Sequence, residues 1–246
     1  MIYSSIKENI SNRKLFMLLI DPENYPSIVL DELADMAAES GVDYFLVGGS
    51  LVSNFMHDYI EEIKEKTSIP VILFPGSLLQ LSGEADAILF LSLISGRNPE
   101  FLIGNHVLAA PYLKKKKIEV IPTGYILING GNTSSVEYIS NTRTIPVTKP
   151  DIITATAIAG EMLGHKLIYL ESGSGAIEPG NEEIIKVIKN NITVPLIVGG
   201  GITNGNEMQK AYKAGADIVV VGNSVEKDIN HLQEFQKVPR DLTYYK

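Results

Sequence analysis

Two glycine-rich turns are the first residues whose types and spacing suggest chemistry. Val198-Gly199-Gly200-Gly201-Ile202 ends one apolar run, and Val221-Gly222-Asn223-Ser224 ends the next, with Gly222 lying 22 residues after Gly200. Glycines let backbone N–H groups approach an anion with no Cβ in the way. A helix starting after Asn223 adds its positive end to the same place. The pair reads as a cradle for a monophosphate. The pattern GxxxxGK[ST] is absent, so this is no nucleoside triphosphate loop. A third turn precedes them in Leu167-Ile168-Tyr169-Leu170-Glu171-Ser172-Gly173-Ser174-Gly175. Side chains alternate along a strand, so Tyr169 and Glu171 share one face, and Ile168 and Leu170 the other. With the apolar pair turned to a helical layer, Tyr169 and Glu171 face the phosphate side. A carboxylate there can accept a hydroxyl proton. Leu19-Ile20-Asp21-Pro22 and Gly48-Gly49-Ser50 end two further runs. A carboxylate beside a hydroxyl, completed by water and substrate oxygens, suits Mg²⁺. Asp21 capping its turn and Ser50 capping the next helix explain the same residues equally well.

These residues need a scaffold that gathers strand ends. Eight β-branched or apolar runs recur: Leu15 to Pro22, Asp43 to Ser50, Pro70 to Ser77, Asp86 to Ser95, Glu119 to Asn129, Leu167 to Gly173, Pro195 to Ile202 and Asp217 to Ser224. Each is nearly continuous in hydrophobicity, as strands of a doubly covered parallel sheet are. Amphipathic stretches separate them, at residues 27–40, 51–66, 99–116, 151–164, 182–190, 206–214 and 226–235. Ser40-Gly41-Val42-Asp43 and Ala214-Gly215-Ala216-Asp217 each place a helix C-cap glycine just before a strand. The expected architecture is an α/β fold, a phosphate-binding (β/α)₈ TIM barrel formed by residues 1–246 as one domain. An open doubly wound sheet is the competing arrangement. Two irregularities are expected. Residues 78–85 are too short for a full third helix, and residues 130–150 form a long polar loop after strand five.

Composition narrows the function. Lys+Arg 21 against Asp+Glu 29 leaves a net charge of −8, which disfavours nucleic acid as a partner. With Cys 0, no disulfide, thiolate metal site or thiol chemistry is available. No leader and no membrane-spanning run is visible, so a soluble cytoplasmic protein is expected. His57, His106, His165 and His231 do not pair at metal-binding spacing and read as structural. Lys114 to Lys117 is a basic run at a helix end, favourable to the helix dipole, with contact to anionic lipid as a lesser reading. Arg97, Arg143 and Lys149, on loops after strands, are candidate contacts for a diphosphate.

Several of these pieces occur together in one family. Leu19-Ile20-Asp21-Pro22, Val47-Gly48-Gly49-Ser50, Asn98-Pro99, Gly104-Asn105-His106, Ile121-Pro122-Thr123-Gly124-Tyr125, Tyr169 to Gly175, Gly199 to Ile202 and Gly222-Asn223 resemble the geranylgeranylglyceryl phosphate synthases, a group that includes heptaprenylglyceryl phosphate synthases. The resemblance spans nearly the whole chain. It implies a Mg²⁺-dependent prenyltransferase that joins a polyprenyl diphosphate, of geranylgeranyl length, to the 3-hydroxyl of sn-glycerol 1-phosphate. The product is an ether-lipid precursor, and diphosphate is released. By the same resemblance Asp21 and Ser50 bind the metal. Glycerol phosphate is held by Tyr169, Leu170, Glu171, Ser172, Gly173, Ser174, Gly175, Gly200, Gly201, Gly222 and Asn223, with Glu171 and Tyr169 catalytic. A homo-oligomer (dimer or hexamer) is also implied, while transient contact with a membrane surface stays the lesser reading of the Lys114 to Lys117 run. Phe55, Met56, Leu78, Leu79, Phe101, Leu102, Tyr125 and Ile126 are on segments able to line a prenyl groove. Members often carry Trp near Asn98-Pro99, where this chain has Phe101. The alternatives are a sugar-phosphate isomerase or aldolase and a non-catalytic phosphate-binding barrel. No Lys ends a strand for Schiff-base chemistry, and strand five ends in Gly124-Tyr125 without a second acid.

Overall fold

Runs such as Leu15–Ile20 and Ile218–Val221 have no polar face, so they are stable only where both sides are covered. The computed structural model, which describes residues 1–52, 56–177 and 181–245, covers them. The strands are β1 (Leu15–Ile20), β2 (Tyr44–Val47), β3 (Val71–Leu73), β4 (Ala87–Leu93), β5 (Glu119–Leu127), β6 (Leu167–Glu171), β7 (Leu196–Gly199) and β8 (Ile218–Val221). They are parallel and closed in sequence order, with β8 returning to β1 from Leu15↔Ile218 to Leu18↔Val221. This is the expected (β/α)₈ barrel, and closure excludes the open sheet. Alternation divides the core in two. Met17, Leu46, Ile72, Leu89, Tyr169 and Ile197 fill the barrel, while Phe16, Leu18, Phe45, Val47, Ile168 and Leu170 pack outward.

The helices are α1 (Ile2–Ile10), α2 (Leu30–Glu39), α3 (Met56–Lys66), α4 (Asn105–Lys116), α5 (Ser135–Ser140), α6 (Pro150–Met162), α7 (Glu182–Lys189), α8 (Gly205–Ala214), α9 (Asn223–Lys227) and α10 (Leu232–Gln236). Gly41 (φ 70°) and Gly215 (φ 117°) take the left-handed cap conformation expected before β2 and β8. Between β3 and β4 only a 3₁₀ turn, Leu78–Gln80, replaces a helix, as the short spacing requires.

The structure departs from expectation at three places. No helix is expected before residue 27, yet Ile2, Ile6 and Ile10 recur every fourth position on α1. That helix stops the N-terminal end of the barrel: Ile6 is fully buried in the interior cluster, Ser5 Oγ meets Tyr44 Oη at 2.9 Å, and Glu119 accepts from the Ile2 and Tyr3 amides. The segment after β5 is not structureless. It contains α5, capped by Ser134, and Ile128 bridges Ile145. The last amphipathic stretch is two helices, because Asp228 in extended conformation interrupts α9 and α10. Before α4, residues Glu100–Gly104 form a π-helical turn.

Candidate active site

At the C-terminal ends of the strands lies one cavity of about 790 Å³. It brings Asp21, Ser50, Tyr169, Glu171, Ser174, Gly175, Gly200, Gly201, Gly222 and Asn223 into one lining. Leu170, Ser172 and Gly173, expected with them, do not line it. Leu170 turns into the helical layer, Ser172 is buried with its amide on Gly199 O, and the Gly173 amide turns to Glu171 Oε1 at 2.7 Å. The N–H groups of Gly175, Gly200, Gly201 and Asn223 find no acceptor among the described residues. Donors facing a cavity without partners require water or an anion, so the phosphate cradle has a concrete form. Ser174 Oγ and the Asn223 amide meet at 2.7–2.9 Å across it.

Glu171 is at the centre, buried. Loss of hydration pushes its carboxyl up to about 7; the Gly173 amide and the hydroxyls of Tyr169 and Tyr125 work against that shift. Burial, and then the charge of Glu171, raise both tyrosines well above the ordinary phenol, so they remain donors. Phe74, Tyr125 and Tyr169 form a ring trio with centroids 5.1–6.1 Å apart, which gives the carboxylate an apolar wall. Gly200 has φ 87°, and a Cβ there would stand 2.2 Å from Glu171 Oε1. Only glycine lets the turn and the carboxylate coexist.

Asp21 and Ser50 occupy the β1–β2 side of the same cavity. Burial raises the Asp21 carboxyl; the Glu23 amide lowers it and the Glu23 charge adds to the rise. Gly49 approaches so closely that a Cβ would stand 2.2 Å from Asp21 Oδ2, so glycine is needed for the carboxylate to point where it does. Two residues here escaped sequence reading. Glu226, on α9, lines the cavity and is raised by burial and then by the Asp21 charge. Gln80, buried in the 3₁₀ turn, donates to Gly49 O (2.7 Å) and accepts from the Gly49 and Gly76 amides (3.3 and 3.0 Å). It ties the loops after β2 and β3. Neither has a local sequence signal, because their partners are far along the chain.

An apolar arm extends where the third helix is missing. Leu78, Leu81, Leu89, Leu91, Phe101 and Ala109 line it, and His106 sits edge-on to Phe90 with centroids 4.4 Å apart. Of the expected groove residues, Leu78, Phe101 and Tyr125 belong to the cavity. Met56 and Ile126 are core, Leu79 is exposed, Leu102 lines a separate surface groove, and Phe55 is outside the described residues. Arg97, Arg143 and Lys149 do not line the cavity; Arg97 donates to the Ile94 and Gly96 carbonyls instead. Among the described residues, Lys227 is the one Lys or Arg in the lining, against Asp21, Glu171, Glu226 and Glu234. His57, Asp58 and Glu61 gather at the exposed start of α3, away from this cavity. No helix among the described residues is long and apolar enough to cross a membrane.

Comparison with known proteins agrees with this geometry. Residues 8–239 match the PcrB family. The chain is 49% identical over 234 residues to a geranylgeranylglyceryl phosphate synthase of Spirosoma linguale, covering 95% of this chain and 94% of that one. It is 45% identical to the protein of the same name from Pyrococcus horikoshii, covering 94% and 91%. The solved structure of (S)-3-O-geranylgeranylglyceryl phosphate synthase from Thermoplasma acidophilum, in complex with its substrate sn-glycerol-1-phosphate, superposes with a TM-score of 0.91 at 33% identity, covering 97% and 96%. With this barrel, this cavity and these relatives, the chain belongs to the PcrB family of geranylgeranylglyceryl phosphate synthases.

Proposed function

We propose that this protein is a prenyltransferase joining a polyprenyl diphosphate, of geranylgeranyl length, to the 3-hydroxyl of sn-glycerol 1-phosphate. The observation that carries this reading is one cavity holding three environments: unpaired backbone amides around the buried Glu171, an oxygen-donor corner at Asp21 and Ser50, and an apolar arm. A sugar-phosphate isomerase or a simple phosphate-binding barrel has no use for the arm. In the reaction the free amides hold the glycerol phosphate. Glu171 accepts the proton of the 3-hydroxyl as its oxygen bonds to the allylic carbon and the carbon–diphosphate bond breaks. Tyr125 and Tyr169 orient the carboxylate, and fixing the hydroxyl against the donor supplies much of the rate.

The donor set at Asp21 and Ser50 fits Mg²⁺: hard oxygens, a carboxylate positioned by Gly49, and a lining otherwise short of positive charge. Bound there, the ion would offset charge on the departing diphosphate. In the same reading the chain acts in the cytoplasm as a homo-oligomer, touching membrane only at its surface. The direct test is incubation of the purified chain with sn-glycerol 1-phosphate, geranylgeranyl diphosphate and Mg²⁺. The expected products are the prenylglyceryl phosphate ether and diphosphate, with none formed after chelation. No transfer from donors of 15 to 35 carbons would overturn the proposal.

A further inference from the structure

The segment after β5 is not needed to close the barrel, and the chemistry proposed above assigns it no part. Yet it makes a dense set of contacts with one other segment, the turn after β6. The Ile177 amide donates to Gly130 O at 2.8 Å. Asn132 Nδ2 donates to the carbonyls of Ser174 (3.2 Å) and Gly175 (3.3 Å). Gly130 is buried so closely beneath the turn that a Cβ would stand 2.0 Å from Ser172 O and 2.6 Å from Ala176 Cβ. Ser134, which caps α5, lies 3.1 Å from where a Cβ of Gly173 would be. The segment itself is held by the Gly131 amide on Asn129 Oδ1 at 2.8 Å.

A peptide plane has its N–H and C=O on opposite sides. Holding the carbonyl of Ser174 therefore fixes the direction of the Gly175 N–H, one of the free donors of the phosphate cradle. Without that hold, a turn containing Gly173 and Gly175, both at positive φ, has many alternative peptide orientations. We infer that Gly130 and Asn132 are positioning residues for acceptor specificity: they clamp the β6 turn so that its amides face the phosphate of glycerol 1-phosphate. The inference deepens the reading given above and rests on it. Neither residue touches the donor side of the cavity, and neither is among its lining residues.

The test is a split between the two substrates. Asn132→Ala removes the two amide contacts. Asn132→Asp keeps the shape but replaces the donor with an oxygen facing two carbonyls. Gly130→Ala pushes on Ser172 O directly. Titration calorimetry with sn-glycerol 1-phosphate, without donor, is expected to show about tenfold or greater weakening in each variant, the scale of a lost orienting contact. The KM for geranylgeranyl diphosphate is expected to stay within about twofold, since its contacts are elsewhere. Because Asn132 is exposed, its variants are expected to melt with the wild type. Wild-type-like affinity in all three variants would overturn the inference. So would equal loss of both substrates together with a fall in melting temperature, which would make the clamp merely structural. A wild-type chain that takes up no glycerol 1-phosphate would instead bring down the functional reading, and the inference with it.

Discussion

Glu171 is a carboxyl poised near neutrality by its surroundings. Burial among the ring trio raises it, and three donors restrain the rise to about 7. The base proposed above works deprotonated, so kcat/KM is expected to climb with pH to about 7 and then level. Glu171→Gln should abolish that limb and lower kcat by roughly 10²–10⁴, while glycerol phosphate binding changes little; steady-state kinetics across pH 5 to 9 check both. The same shift has a cost to the fold. The folded carboxyl keeps its proton above 4.5, the ordinary value for a glutamate, so stability is lost as pH rises from there to about 7, on the order of 3 kcal/mol. Glu171→Gln is therefore expected to raise the melting temperature at pH 8 more than at pH 5. Tyr169 and Glu171 were legible from strand alternation alone. Glu226 and Asn132 were not, because a lone acid on a helix and an Asn in a polar loop look like solvated residues until the chain closes.

The secondary structure elements are bounded by short-range signals, and this is why most were readable. Pro70 and Pro195 stand just before β3 and β7, and Gly41 and Gly215 end α2 and α8. The exceptions have physical reasons. α1 mixes its isoleucines with Ser, Lys, Glu and Asn, as a surface segment does; it is kept as a helix by Ile6, which enters the barrel, and by Glu119, which accepts from its first amides. The break between α9 and α10 is made by Asp228 Oδ1 accepting from the Asn230 amide at 2.9 Å, a local contact that competes with helix continuation. Ile6→Ala is expected to destabilise the protein by about 2–5 kcal/mol, the range for a large-to-small change in a packed core. Denaturant unfolding followed by circular dichroism measures it, and a loss below about 1 kcal/mol would show that α1 does not help to hold the barrel. Activity at fixed folded fraction should be unchanged, because α1 is at the opposite end from Glu171.

Across the whole molecule, charge is distributed against the proposed substrates. The chain carries −8, and among the described residues four carboxylates and one lysine line the cavity. In the proposed reaction the two phosphorylated substrates would therefore depend on different devices: backbone amides for glycerol phosphate, and a divalent ion for the diphosphate. Chelation is expected to weaken donor binding by roughly tenfold or more while changing glycerol phosphate affinity less than about twofold, given that a metal contributes several kcal/mol to a phosphoryl oxygen. Binding of each substrate with and without EDTA checks this, and equal weakening of both would remove the division of labour. The barrel interior, filled by Met17, Leu46, Leu89 and Ile197 above α1, also fixes the traffic. With no passage through the packed barrel, the prenylated product has to leave by the entrance through which its precursor arrived. Moving such a tail into water costs about 0.8 kcal/mol per methylene, whereas sliding it into lipid costs almost nothing. Departure, rather than bond making, is then the step expected to limit turnover in dilute buffer, and added lipid vesicles are expected to raise kcat by taking up the tail.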